Sequence, residues 1–378
     1  MTGNVRLVDL LAHRRVIGDA IDAAVSRTIA DGRWIMGPAV GELEAGLAAR
    51  CGASSAVTCS NCTDALKLGL LALGLGHGDA VLCPSFTFTA TAEVIALLGA
   101  VPVFVDCEPP GFNLSVESTV EAIASARRAG LVPVGIISVD LFGVPAGYEA
   151  LEAVAAEEGL WLLADAAQSF GATLGGRAVG TFGEVSATSF FPAKPLGCYG
   201  DGGATFTDDD GLAGKLRSLR SHGQGADKYD NVRVGMNARL DSIQAAVLVE
   251  KLTIFDGELE RRRAIARTYG ERLAEVVGTP QVPERCEPTW AQYTLRVPER
   301  DSFQKRLAAA GVDSAVYYPR PLHRQPAYSS GPGAGLVSLA ESERAASEVL
   351  SIPVHPYLTD AEVDIVVESV TAVAADLA

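Results

Sequence analysis

Lys194 is the single lysine between Lys67 and Lys215, set in "SFFPAKPLGCYGDGG" between apolar, strand-like runs and a glycine-rich turn. A lysine in an apolar pocket loses the water that stabilises its charge. Its pKa falls, and its amine becomes a nucleophile that can form a Schiff base with an aldehyde. On the strand-like run before it, Asp165 closes "WLLAD". A carboxylate at that position is desolvated and needs a cationic or hydrogen-bonding partner. Taken alone, Asp165 reads as a cap of the helix that follows.

Taken together, the two residues suit a pyridine cofactor. An aspartate set against a pyridinium nitrogen keeps the ring protonated and electron-withdrawing, while the lysine engages the aldehyde. Both are requirements of pyridoxal 5′-phosphate. Its phosphate needs a cradle, and Ser60-Asn61-Cys62-Thr63 in "TCSNCTDALKLGL" lies between a strand and a helix. Free N–H groups at that helix start favour an anion, and the Thr63 hydroxyl adds a donor. The plainer reading of the turn is an N-cap. Ser189 is a second phosphate donor, and Phe88 in "CPSFTFTATA" is placed to stack on the ring, although core packing suits a lone phenylalanine equally.

These residues need a scaffold that brings strand ends together. Apolar runs at 56–59, 80–84, 101–106, 134–140, 161–165, 187–191 and 203–207 read as strands covered on both faces. Helical patterns fall between them, near 39–50, 63–75, 89–98, 115–129, 147–159 and 209–219. Such alternation predicts an α/β layered domain with a largely parallel sheet, and ligands there sit at the carboxyl ends of strands. Past Asn237 the texture becomes helical over 239–277, then mixed. The chain is expected to divide into a large domain, 1–245, and a smaller α+β domain, 246–378.

Composition narrows the partners. The 378 residues are 48% hydrophobic and carry a net charge of −15, which argues against nucleic acid or an anionic membrane as the main partner. No leader-like or membrane-spanning apolar run is seen, and seven cysteines without a repeating framework suit reduced thiols in the cytoplasm.

The order of these pieces resembles the DegT/DnrJ/EryC1/StrS sugar aminotransferase family of fold-type I pyridoxal-phosphate enzymes. The resemblance runs through "GRWIMGPAVGELEAGLAARCG", "NCTDAL", "PSFTFTATAEVI", the block from "DAAQSFGATLGG" to "GCYGDGGA", "LRSHGQ", "VGMNARLDSIQAAVL" and "YYPRPLHRQPAY". It implies an aspartate aminotransferase-like large domain with a mixed, mostly parallel seven-stranded sheet. It implies that Lys194 anchors the cofactor and shuttles the proton, and that Asp165 pairs with the ring nitrogen. Gln168 would lie near the phenolic oxygen, and Thr63 and Ser189 would hold the phosphate. Asn237 would reach the phosphate of a neighbouring subunit, so that a homodimer shares its active sites. Tyr318, His323 and His222 would sit near the sugar. The family usually has glycine where Cys62 stands, so a slightly altered turn is expected if that position needs a positive φ.

The resemblance implies transfer of an amino group from L-glutamate to a keto group of a nucleotide-linked sugar, with a pyridoxamine 5′-phosphate form in turnover. The motifs look most like members that act at C3, for example on UDP-2-acetamido-3-oxo-glucuronate. A C4-keto sugar and a cyclitol remain as alternatives. Related dehydratases replace the lysine, typically by histidine, and Lys194 argues against that branch. A substrate carboxylate would want an arginine, with Arg33, Arg233, Arg239 and Arg320 as candidates.

Other motifs lead elsewhere. Cys59 and Cys62 form a C-x-x-C, the pattern of a thiol oxidoreductase, at a strand-to-helix turn. "GLGHGD" at 74–79 mimics a dinucleotide fingerprint but ends a helix, which is the wrong context. The five histidines show no i,i+4 pairing, so no metal site is expected.

Overall fold

The computed structural model describes residues 4–377. Helices α1 (Arg14–Asp31) and α2 (Pro38–Cys51) precede the alternating region. There, β1 (Ser55–Cys59), β2 (Asp79–Pro84), β3 (Val101–Val105), β4 (Val132–Val139) and β5 (Trp161–Asp165) are joined through α3 (Cys62–Ala72), α4 (Ala90–Leu97), α5 (Val116–Arg128) and α6 (Tyr148–Glu158). A small hairpin, β6 (Thr173–Leu174) and β7 (Arg177–Ala178), leads to β8 (Val185–Ser189) and β9 (Gly203–Thr207). Helices α7 (Asp210–Arg220), α8 (Ser242–Leu252) and α9 (Phe255–Leu273) follow.

The seven-stranded sheet runs β1-β9-β8-β5-β4-β2-β3. From β3 to β8 the pairs are parallel, whereas β9 runs antiparallel to both β8 and β1. The fold is therefore α/β with a mixed, mostly parallel sheet. Strand alternation explains its two cores. On β1, Val57 and Cys59 join the core formed with α3 to α6, whereas Ala56 joins the core formed with α2 and α8. Both faces are covered, which is why the strands read as unbroken apolar runs.

The remainder packs as a smaller unit. A short strand β10 (Cys286–Glu287) pairs with β6, and β11 (Tyr293–Arg296) pairs antiparallel with β12 (Val349–Ile352). Around the latter pair lie α10 (Arg300–Ala309), α11 (Ala340–Glu348) and α12 (Asp360–Leu377). The division expected near residue 245 falls inside α8, and α8 packs with the sheet-bearing half through Ala245 and Leu248. Side chains change allegiance along α9: Phe255 and Leu259 join the α2–α8 core, Ile265, Tyr269 and Leu273 the small-unit core. Val5 also belongs to the small unit, beside Val312. A continuous helical pattern does not say which partner each end meets, so the sequence hid this crossing. Among the described residues no helix is long and apolar enough to cross a membrane.

A buried ion pair anchors the region near the sheet end. Arg220, 4% exposed, reaches Glu44 at 2.5 Å and the Thr58 carbonyl at 2.8 Å, tying α7 to α2 and β1. Removing one partner of such a pair costs roughly 3–5 kcal/mol, because the other charge is left buried.

His13 is a second buried polar anchor, bonded through Nε2 to the Tyr199 hydroxyl at 2.8 Å. Burial first, then the Lys251 charge, pushes its imidazole down from 6.5 to about 4. The unfolded chain takes up this proton first as pH falls. The His13 contribution is thus complete above about pH 6.5 and fades between there and pH 4. Urea unfolding of wild type and His13→Asn across that window checks this. The variant should lose less stability on acidification, and equal slopes would contradict the assignment.

Candidate active site

The site forms at one edge of the sheet because the strands deliver their ends there. Asp165 ends β5 and faces Ala187 on β8, two residues before Ser189. The turn after β8 carries Lys194, whose N–H donates to the Phe191 carbonyl at 2.8 Å. Since β9 is antiparallel, its first residue, Gly203, lies opposite Cys59 at the end of β1. Residues distant in sequence thus meet at this edge.

Asp165 is buried, 4% exposed. Its Oδ1 accepts from the Ala167 N–H at 3.2 Å, and its Oδ2 accepts from the Thr91 hydroxyl at 3.1 Å. Burial pushes its carboxyl above the usual range, while those two donors and the Lys194 charge pull it back. Burial likewise pushes the Lys194 amine down, opposed by Cys62 and Asp165. Each of the two groups stands within electrostatic reach of the other. The result is an amine readied for nucleophilic work and a carboxylate in need of a cation.

The anion cradle is local. Asn61 caps α3, its Oδ1 accepting from the Asp64 N–H at 2.8 Å. Asp64 in turn accepts from the Ser60 hydroxyl at 2.5 Å and the Asn61 amide at 3.1 Å. That commits Ser60 and Asn61 to the turn itself. The N–H groups of Cys62 and Thr63, the first two residues of α3, have no acceptor within the helix. Ser189 Oγ accepts from the Phe191 N–H at 3.2 Å and keeps its own proton to donate. Gly203 is pressed against this cradle: a Cβ there would lie 2.6 Å from the Asn61 carbonyl and 2.9 Å from Cys62 N. Helix N–H groups and hydroxyls form a donor set matched to a phosphate.

Cys62 opens α3 and is absent from the residues with positive φ, so cysteine replaces glycine here without backbone strain. Burial pushes its thiol well up, Asp165 adds to that, and Lys194 opposes it. Burial pushes Cys59 up to about 12. Neither is a thiolate, and the C-x-x-C lacks the reactive sulfur of an oxidoreductase. The glycine-rich 74–79 stretch is a turn, with the Gly76 N–H on Asp79 Oδ2 at 2.8 Å.

Gln168 is buried; its Oε1 accepts from the Phe142 N–H at 2.5 Å, and its Nε2 donates to the Tyr318 hydroxyl at 3.4 Å. Tyr318 and Phe88 pack with centroids 6.1 Å apart, and Phe88 is 55% exposed at the site rim. His323 has both ring nitrogens engaged, with Ser85 at 2.6 Å and Glu343 at 2.9 Å. It acts as a strut between the end of β2 and α11, with no nitrogen left for a sugar. His222 and Asn237 lie on the exposed loop between α7 and α8. Of the arginine candidates, Arg33 is paired with Asp31 at 2.8 Å.

Sequence reasoning missed Thr91 and Asp140. Nothing distinguishes a buried threonine on α4 in advance. Asp140 carried the same signal as Asp165, a carboxylate closing an apolar strand. It is fully buried and accepts from Tyr148 at 2.7 Å, Ser169 at 2.6 Å and Ala146 N at 2.9 Å. Burial raises it to about 7, against those three donors and with Asp165 adding to the rise.

A nucleophilic lysine, a carboxylate and a phosphate cradle at one sheet edge define a pyridoxal-phosphate-dependent transferase, and the residues present fit that cofactor. The sequence profile of the DegT/DnrJ/EryC1/StrS aminotransferase family matches residues 15–371, and the chain belongs to this family. It is 44% identical over 368 residues to the UDP-2-acetamido-2-deoxy-3-oxo-D-glucuronate aminotransferase of Pseudomonas aeruginosa, covering 97% of this chain and 99% of that one. A DegT DnrJ EryC1 StrS aminotransferase from Brucella abortus superposes with a TM-score of 0.94 at 48% identity, over 97% and 99% of the two chains. The ntda structure from Bacillus subtilis, which has bound PMP, superposes with a TM-score of 0.90 at 28% identity, over 99% and 86%.

Gly203→Ala tests the cradle. Its Cβ would push the Asn61–Cys62 peptide aside and remove a charge-assisted N–H contact worth roughly 1.5–3 kcal/mol. Absorbance titration with pyridoxal 5′-phosphate should show Kd raised at least about tenfold in a folded variant. Wild-type affinity would contradict the placement.

Proposed function

We propose that the enzyme moves an amino group from L-glutamate to the C3 keto group of a nucleotide-linked sugar of the 2-acetamido-3-oxo-glucuronate class. The observation that carries this is the pairing of half-buried Lys194 with buried Asp165 beside the Cys62–Thr63, Ser189 and Gly203 cradle. The near-complete match to a relative named for a 3-oxo-glucuronate substrate supports the sugar class.

The cofactor, when bound, supplies an aldehyde and an electron-withdrawing ring. Thr63, the α3 N–H groups and Ser189 would hold its phosphate. The Asp165 carboxylate would hold the proton on its ring nitrogen, with Thr91 and the Ala167 N–H fixing the carboxylate. Gln168, whose amide donates to the Tyr318 hydroxyl at 3.4 Å, would lie near the phenolic oxygen. The Lys194 amine would anchor the cofactor and then carry the proton from the donor α-carbon, and desolvation, which pushes its pKa down, favours the neutral amine this needs. Tyr318 would sit near the sugar, and Phe88, packed against it with centroids 6.1 Å apart, would stack on the cofactor ring. Glutamate and the keto sugar use this site in turn, so the kinetics are ping-pong.

Asn237 has no side-chain hydrogen-bond partner among the described residues, and its loop exposes Tyr229 (84%) and Val234 (92%). These features support a homodimer in which the loop reaches the second copy's phosphate, with His222 beside that copy's sugar. Seven unpaired cysteines support a reducing, cytoplasmic setting.

Substrate class is tested with enzyme loaded with pyridoxamine 5′-phosphate and incubated with 3-keto and 4-keto UDP sugars. The 3-keto glucuronate should restore the pyridoxal absorbance within turnovers, and the 4-keto sugar should not. Restoration by the 4-keto sugar alone would overturn the assignment.

A further inference from the structure

We propose that Lys251 is a positioning residue for Lys194, holding the turn that carries it through a buried hydrogen bond to the Gly197 carbonyl. The inference rests on the role of Lys194 given above. Lys251 lies on α8, 6% exposed, and its Nζ donates to the Gly197 oxygen at 2.5 Å. It forms no ion pair with a carboxylate among the described residues; the charged or titratable groups that act on it are Glu258, Cys198 and Arg262, and His13 feels its charge. An ammonium buried this way is costly to place, and an apolar side chain would fill the space more cheaply.

The path from Lys251 to Lys194 is short. Gly197 has no room for a side chain: a Cβ would lie 2.5 Å from the Pro192 carbonyl and 2.7 Å from the Phe191 carbonyl. The two limbs of the turn therefore touch backbone to backbone. The Phe191 oxygen that Gly197 presses against is also the acceptor of the Lys194 N–H, at 2.8 Å. Moving Gly197 moves that acceptor, and Lys194 with it. The rest of the turn is fixed from the same helix. Gln244, about two turns before Lys251 on α8, accepts from the Tyr199 N–H at 2.9 Å. Cys198 closes the turn internally, its Sγ reaching the Phe190 carbonyl at 3.0 Å and the Gly200 carbonyl at 3.1 Å. Helix α8 thus holds the turn at two points, Gly197 and Tyr199, and the Lys251 point is the one pressed against the Phe191 carbonyl. Around the Lys194 amine itself, the titratable neighbours are Cys62 and Asp165.

Lys251→Met keeps most of the stem and removes the donor, whereas Lys251→Arg keeps a cationic donor. Leu248→Ala, in the core on the same helix, is the control for a purely structural loss. Four measurements apply to each holoenzyme: thermal stability, kcat, KM for the keto sugar, and the pH midpoint of the lysine-bound cofactor's absorbance. Lys251→Met should lower kcat about tenfold or more, as a small displacement of a reacting group does. Its KM should stay within about twofold, and its absorbance midpoint should move. Lys251→Arg should recover part of both. Leu248→Ala should lose stability without moving the midpoint. A Lys251→Met enzyme with the wild-type midpoint and kcat, or one indistinguishable from Leu248→Ala, overturns the inference. Should Lys251→Met not fold, Gln244→Leu removes the other anchor and must move the midpoint; an unmoved midpoint overturns the inference. A wild-type enzyme with no lysine-bound absorbance overturns the Lys194 reading as well, which separates the two failures.

Discussion

Burial opposes charge on both Lys194 and Asp165, and the pair must nevertheless share one small space. Each group is only partly solvated or buried, so each is sensitive to the other and to the few dipoles that touch it. For Asp165 those are the Ala167 N–H and the Thr91 hydroxyl. A ring nitrogen that brings a positive charge relieves the carboxylate, and an aldehyde that takes up the amine relieves the lysine. The charges of this pair suit a cofactor with a basic ring nitrogen and an aldehyde.

The scaffold answers that constraint by putting every part on a strand end or a tight turn. Parallel β4, β5 and β8 deliver Asp140, Asp165 and Ser189 to one edge, and antiparallel β9 returns Gly203 to the same edge. The cradle and the lysine turn both depend on close backbone approach, at Gly203 and Gly197. Neither position has space for a methyl group. The lysine turn then leans on α8, which also packs against α1 and α2, so the anchor of the reacting amine is tied to the bulk of the larger half.

Much of this was legible in the sequence because buried parallel strands leave apolar runs that stop at polar residues. That rule alone, before any resemblance, puts Thr63, Asp165 and Ser189 at or just past strand ends, where the structure also has them. Asp140 obeyed the same rule and was passed over, since no partner residue drew attention to it. Strand ends were off by one or two residues, as at 134–140 against Val132–Val139, because the last polar residue already belongs to the turn. Helix α1 and the hairpin at 173–178 were not anticipated; the first is weakly patterned and the second is too short to have a period. The domain crossing inside α9 and the two engaged nitrogens of His323 are tertiary facts. The latter depend on Ser85 and Glu343, residues outside the motif that carries the histidine.

The most direct measurement is borohydride reduction of enzyme loaded with pyridoxal 5′-phosphate, followed by peptide mass spectrometry. One covalent link between amine and cofactor is expected, on the peptide that contains Lys194. A label on Lys67, Lys251 or any other lysine, or no label at saturating cofactor, would contradict the account.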